Sequence, residues 1–161
     1  MPSPAQPPRD GAPTLGPTAD SEITWLLHRA AQHLHNVTGE QAQKHGLQLR
    51  DYIVLSALHK TASLTQAELG RALGQDKTTL MSQLDGLERR GLVVRESDPR
   101  DRRARIPVLT DEGNALRARV AGDCDRAERA ALNAFAPEQV ELLRQLLFEI
   151  IGDSEDPGSC M

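Results

Sequence analysis

The hydrophobic period of this chain changes at Gly91, and that one change limits the fold to helices carrying a small hairpin. Upstream, apolar residues recur at helical spacing, with Leu80, Leu84 and Leu87 at i, i+4 and i+7. Downstream, Leu92-Val93-Val94-Arg95-Glu96-Ser97 has the two-residue period of a strand. Asp98-Pro99-Arg100-Asp101 has turn composition, and Arg105-Ile106-Pro107-Val108-Leu109 reads as the returning strand. Pro107 has no N–H to give to a ladder, which confines its strand to an edge.

The segment before the switch carries the strongest local signal. In Leu64-Thr65-Gln66-Ala67-Glu68-Leu69, Thr65 and Glu68 are spaced as a capping box, and Leu64 and Leu69 as a hydrophobic staple. The short helix they open stops at Gly74, and a second begins at once with Asp76 as its cap. Two short helices joined by a tight glycine-containing turn form a helix-turn-helix, whose second helix enters the major groove of DNA. With the hairpin directly behind it, the predicted unit is a winged helix.

Longer helices flank that unit. Ile23, Leu26, Leu27, Ala30, Ala31, Leu34 and Val37 form one stripe of a helix over 21–44. Trp25 lies on the opposite side of the same wheel, which suggests a second burial surface. Gly46 ends that helix, and Leu47–Lys60 is apolar nearly all round, as a central buried helix is. Thr110 caps a long fifth helix with Asp111 and Glu112 in its first turn, where acids favour the dipole. Leu116, Val120, Cys124, Ala127 and Ala131 run along one of its faces. Pro137 opens a sixth, with Val140, Leu143, Leu147, Ile150 and Ile151 on one side. The expected fold class is mainly α: a winged helix-turn-helix with a two-stranded β-hairpin wing.

Composition agrees. Only 2 % of the 161 residues are aromatic, so the core is Leu, Val, Ile and Ala, which suits helices. Residues 1–20 hold six of the ten prolines and read as a disordered tail; 153–161 reads as a shorter one. One domain is expected over 21–152. No run approaches the ~18 apolar residues of a membrane helix, and the N-terminus has no apolar signal core. Cys124 and Cys160 are too few for a disulfide scaffold, so a cytoplasmic protein without membrane contact is expected.

The net charge of −4 is unevenly divided. Residues 64–110 hold nine basic and seven acidic side chains, a balance of +2 that leaves −6 elsewhere. Within 89–105 seven arginines face three acids, or +4. A basic patch on an acidic body is the footprint of a local polyanion site, although a solvated charged loop has the same count.

Leu87-Glu88-Arg89-Arg90-Gly91-Leu92-Val93, then Asp98-Pro99-Arg100-Asp101-Arg102-Arg103, then Leu109-Thr110-Asp111-Glu112-Gly113 resembles the MarR family of bacterial transcriptional regulators. The Asp76-Lys77-Thr78-Thr79 opening of the fourth helix is similar to a common variant there. The resemblance covers about 21–152. It implies a winged-helix lobe over 61–109 and an all-helical dimerisation region over 21–60 and 110–152. It further implies a homodimer on palindromic double-stranded operator DNA, usually as a repressor. An effector pocket among the first, second and fifth helices also follows from it.

On the fourth-helix wheel Thr78, Ser82, Asp85 and Arg89 lie opposite the leucines. Thr78 and Ser82, near its start, are the expected base or phosphate contacts, flanked by Lys77, Thr79 and Gln83. Gln83 could read adenine or be a solvated amide. Thr65 and Gln66 are placed for backbone phosphates. Asp85 and Arg89 read as an i, i+4 ion pair. Arg100, Arg102 and Arg103 at the hairpin tip suit the minor groove, where negative potential is strongest. Strand alternation sends Arg102 and Arg103 opposite ways, so one should reach DNA while the other pairs with Asp98 or Asp101. The resemblance points to Asp101 and Arg103 as that structural pair.

His28, His35, Tyr52, His59 and Arg117 are candidates to line the effector pocket, which would take a small aromatic or phenolic acid. No metal site is expected: His33 and His35 face different ways, and His28 and His35 are separated by about 10.5 Å of helix rise. No Ser or Cys has a nucleophile context, so neither enzyme nor cofactor chemistry is expected. Cys124, on an apolar wheel face, reads as a small buried hydrophobe. The competing function is a winged helix whose arginines grip an acidic protein. The Thr, Ser and Lys opening the fourth helix fit that poorly, since a protein contact favours exposed aromatics.

Overall fold

The computed structural model describes residues 16–61 and 63–152; the two tails, with Cys160, otherwise lie outside the described residues. The element order is α1 (Ile23–Lys44), α2 (Leu49–Lys60), α3 (Gln66–Ala72), α4 (Lys77–Arg89), β1 (Val93–Ser97), β2 (Arg105–Leu109), α5 (Asp111–Ala131) and α6 (Pro137–Ile151). The fold class is the expected one: mainly helical, with one two-stranded antiparallel hairpin. Contacts divide the chain into a unit ending at His33 and a unit beginning at Leu34.

In the N-terminal unit Trp25 is 37 % exposed. Its ring stacks on His28, with centroids 6.0 Å apart, and the Arg29 guanidinium lies 5.9 Å from the indole. That covers part of one large ring with a cation and an imidazole.

The second unit is built around leucine. Leu55, Leu69, Leu80, Leu84 and Leu87 are buried with Val54, Val93 and Val120. α2 lies against α5 and β2; α4 lies against α3 and β1. α1, α3 and α4 each end in the same motif, in which a left-handed glycine lets two final carbonyls be capped. At α4, Gly91 has φ +70°, and the N–H groups of Gly91 and Leu92 donate to Glu88 and Leu87. The chain thus reverses directly into β1. The hairpin pairs Val93 with Leu109, Arg95 with Pro107 and Ser97 with Arg105.

α5 is tied to the start of the hairpin. The Thr110 hydroxyl accepts from the Gly113 N–H and donates to the Gly91 carbonyl, while the Thr110 N–H donates to Leu92 O. Further along, Asp123 accepts from His45 at 2.6 Å and from Arg126, which holds its carboxyl below the ordinary range, chiefly through the His45 bond. Cys124 is buried as expected; its thiol donates to Thr38 O, and burial raises its pKa.

A Cβ on Gly113 would overlap the Leu92 carbonyl oxygen. Helical Gly→Ala ordinarily stabilises by about 1 kcal/mol. Here Gly113→Ala should destabilise instead, by roughly 1–3 kcal/mol for overpacking against backbone. Urea unfolding measures the sign, and a stabilised variant would contradict this packing.

Candidate nucleic-acid interface

The N-terminal caps of α3 and α4 set the site. Thr65 and Glu68 cap each other: the Glu68 N–H donates to Thr65 Oγ1, and the Thr65 N–H donates to Glu68 Oε2 at 2.8 Å. That backbone bond, with a second from the Thr65 hydroxyl, holds the Glu68 carboxyl below its ordinary range. At α4 Asp76 accepts from the Thr79 N–H at 3.0 Å and the Thr79 hydroxyl at 2.6 Å. The Thr79 hydroxyl is therefore occupied by the cap.

With Leu80, Leu84 and Leu87 turned inward, Lys77, Thr78 and Ser82 stand exposed on the outer face of α4. With Met81, Asp85, Glu88, Arg89 and Arg95 they line a depression of about 830 Å³. Gln83 does not belong to that face. It is 6 % exposed, and its position beside Leu84 turns it toward the inner flank, so neither expected reading of its amide holds.

The expected Asp85–Arg89 pair also does not form. Arg89 donates to the Asp85 backbone carbonyl, and the Asp85 carboxylate takes Arg95 from β1 at 2.6 Å. Glu88 takes the same guanidinium, which lowers the Glu88 pKa. One arginine thereby ties the last turns of α4 to the wing. β1 delivers it because residues of one strand face lie beside the helix on which the sheet packs.

At the wing tip Asp98 is 3 % exposed. It accepts the Arg100 backbone N–H at 2.8 Å and the Arg100 guanidinium at 3.0 and 3.2 Å, and the side-chain bonds above all depress its pKa. Arg100 is thus engaged in the turn. Asp101 does meet Arg103, but through the backbone N–H at 2.9 Å, not as an ion pair. The Arg102 and Arg103 side chains are exposed and form no salt bridge among the described residues.

Arg103 joins Thr65, Gln66, Arg71, Lys77 and Arg105 around a groove of about 490 Å³ between the wing and the starts of α3 and α4. Arg71 and Arg105 carry no site signal in the sequence beyond their charge. Their spacing of 34 positions carries no local pattern that would link them; only the fold brings them to one groove. Lys77 and Met81 line both this groove and the outer depression, so the two form one continuous surface.

The four effector candidates of the second unit do not line one common cleft. His35 lines a cleft with α2 and α4, whereas His59 lines a cleft of about 690 Å³ beside the wing. Tyr52 packs against the core, Arg117 bonds Asn114, and His28 stacks on Trp25 in the N-terminal unit. Single-helix spacing did not reveal which helix faces converge. Among the described residues, no cluster of three His, Cys, Asp or Glu is placed to hold a metal, and no helix is long and apolar enough to cross a membrane.

Residues 45–104 match the family model described as "MarR family". The chain is 35 % identical over 96 residues to the transcriptional regulator HosA of Escherichia coli O111:H-, covering 60 % of this chain and 71 % of that one. It is 32 % identical over 130 residues to the HTH-type transcriptional regulator PecS of Dickeya dadantii, covering 79 % and 74 %. An X-ray structure of a MarR-family transcriptional regulator from Rhodococcus sp. RHA1 superposes with a TM-score of 0.74 at 28 % identity, over 85 % of this chain and 94 % of that chain.

The Arg95 clamp has a measurable coupling. A double-mutant cycle with Arg95→Ala and Asp85→Ala should give an interaction energy of about 0.5–1 kcal/mol, because Asp85 is half exposed and screened. Additive effects in denaturant unfolding would mean that the two side chains act independently.

Proposed function

We propose, for a chain that belongs to the MarR family of transcriptional regulators, that it binds a palindromic operator as a homodimer and represses transcription by occupying it. It is a regulator and not an enzyme. The observation that carries the reading is the continuous surface joining the exposed start of α4 to an arginine-bearing wing. Thr78 and Ser82 read base edges or adjacent phosphates in the major groove. Arg102 and Arg103 extend toward the flanking minor groove, and Thr65, Gln66, Arg71, Lys77 and Arg105 line the path of the backbone. Arg100 and Asp98 stiffen the tip that presents them.

The dimer is favoured by α6. Leu142, Leu143, Leu146, Leu147, Phe148, Ile150 and Ile151 are all exposed on this one helix. So large an apolar surface is costly to leave in water, and a second copy covers it. A dimer would set two α4 helices about one turn of DNA apart, ~34 Å. A small-molecule effector that favours another spacing of the two heads would release the operator. The protein works in the cytoplasm, alongside its DNA.

Two measurements test this. Binding to the promoter of its own or a neighbouring gene should be far tighter than to a random duplex in a fluorescence-anisotropy titration; equal affinities would defeat the reading. Replacing Arg102 and Arg103 by Ala should weaken all duplexes and flatten the salt dependence by ~0.9 log units per lost phosphate contact. Thr78→Ala or Ser82→Ala should alter sequence preference instead. Separately, Leu147→Asp should shift the protein from dimer to monomer in light scattering, and an unchanged mass would place the subunit contact elsewhere.

A further inference from the structure

Gln83 is the least satisfied side chain of the recognition helix. It is 6 % exposed, and neither its amide nitrogen nor its amide oxygen has a partner among the described residues. A carboxamide can make up to four hydrogen bonds, and a buried one left without any destabilises the fold. Gln83 lies at the wall of a cleft of about 1180 Å³ formed by the second half of α1, the start of α2, the α3–α4 turn and α4. Gln75 lines the same cleft, and its amide oxygen is likewise sealed without a donor. Three buried amide atoms without partners beside one cleft are a second observation, independent of the cavity itself.

The lining defines the chemistry. Leu49 and Ile53 are half-buried there and offer an apolar wall for a ring. The charged groups, Glu40, Arg50 and Asp76, are of both signs and stand at the exposed or capping positions. Asp76 is already bonded to Thr79, which holds its carboxyl below the ordinary range. The buried groups lacking partners are neutral: one amide NH₂ and two carbonyl oxygens. We propose that this cleft binds a small neutral lactam or primary amide, whose adjacent N–H and carbonyl pair with the Gln83 carboxamide. A second N–H on the ligand would reach Gln75. The three rotatable bonds of Gln83 allow its amide to swing from its sealed position toward the cleft, and the ligand selects that rotamer. This deepens the effector part of the proposed function by naming a site and a ligand class; the binding itself is independent of whether the operator reading holds.

The test uses the full chain with ¹⁵N-labelled glutamine side chains. The Gln83 NH₂ resonances, identified by their loss in Gln83→Met, should shift saturably with 2-pyridone, nicotinamide or uracil. Benzoate, which has no N–H donor and carries charge, should leave them in place. By calorimetry the bound amide should lose at least about tenfold in affinity in Gln83→Met. Should that variant fail to fold, Gln83→Asn, one methylene shorter, should show the same loss. No shift with any of the three amides, equal binding by benzoate, or undiminished binding by the variant would each overturn the proposal. Operator affinity measured on the same samples separates failure of this site from failure of the DNA reading.

Discussion

The inward burial of Leu80, Leu84 and Leu87 governs this protein's working surface. Each is worth roughly 1.5–3 kcal/mol when fully buried. A cap such as Asp76 contributes about 1 kcal/mol, and an exposed ion pair less than that. The leucines therefore decide the rotation of α4 about its axis, and caps and charges only refine it. At 100° per residue, Thr78 and Ser82 must then project outward. The exposure of Thr78 and Ser82 on one face is a geometric consequence of the core.

A helix fixed in rotation still needs a fixed relation to the wing. Gly91 turns the chain back within one residue, and Arg95 then reaches from β1 to two acids on the last turns of α4. Where β2 passes into α5, Thr110 bonds Gly91 and Gly113, and the absence of a side chain at Gly113 lets α5 sit against the Leu92 carbonyl. The two strands of the hairpin are thus held by different mechanisms, β1 by an electrostatic clamp to half-exposed acids and β2 by a hydrogen-bonded, sterically close junction with α5. The junction is insensitive to salt, so the wing keeps its root even where the Arg95 clamp is screened.

The elements were legible because their signals are local. Thr65 with Glu68, Asp76 with Thr79, and glycine after α1, α3 and α4 are all decided within four or five residues. The two-residue period after Gly91 marked the hairpin for the same reason. Pairings that depend on how elements meet were not legible. Asp85 has Arg89 one turn away, but Arg95 wins because it arrives from a strand packed against the helix with most of its side chain already buried. On a helical wheel Gln83 lies at the border between the faces; it is buried at the wall of the cleft that α4 shares with α1 and α2, which no single-helix pattern records. Asp101 does engage Arg103, but through the backbone N–H, a distinction between a turn and an ion pair that sequence spacing does not make.

An acidic protein that binds a polyanion must keep its acids out of the way, and this one does so by giving them structural work. Of the seven acids in 64–110, Glu68 and Asp76 cap helices, Asp85 and Glu88 hold Arg95, Asp98 holds Arg100, and Asp101 bonds a backbone N–H. Each of these six carboxylates meets its compensating hydrogen within hydrogen-bonding distance, so its field beyond the surface is small; Glu96, exposed on β1, is the exception. Arg71, Lys77, Arg103 and Arg105 are instead collected along one groove. The remaining negative charge lies C-terminal to this segment, in residues 111–161, and fields weaken beyond about 8 Å at physiological salt. A phosphate brought to this groove would meet its local field, on which the net charge of −4 has little bearing.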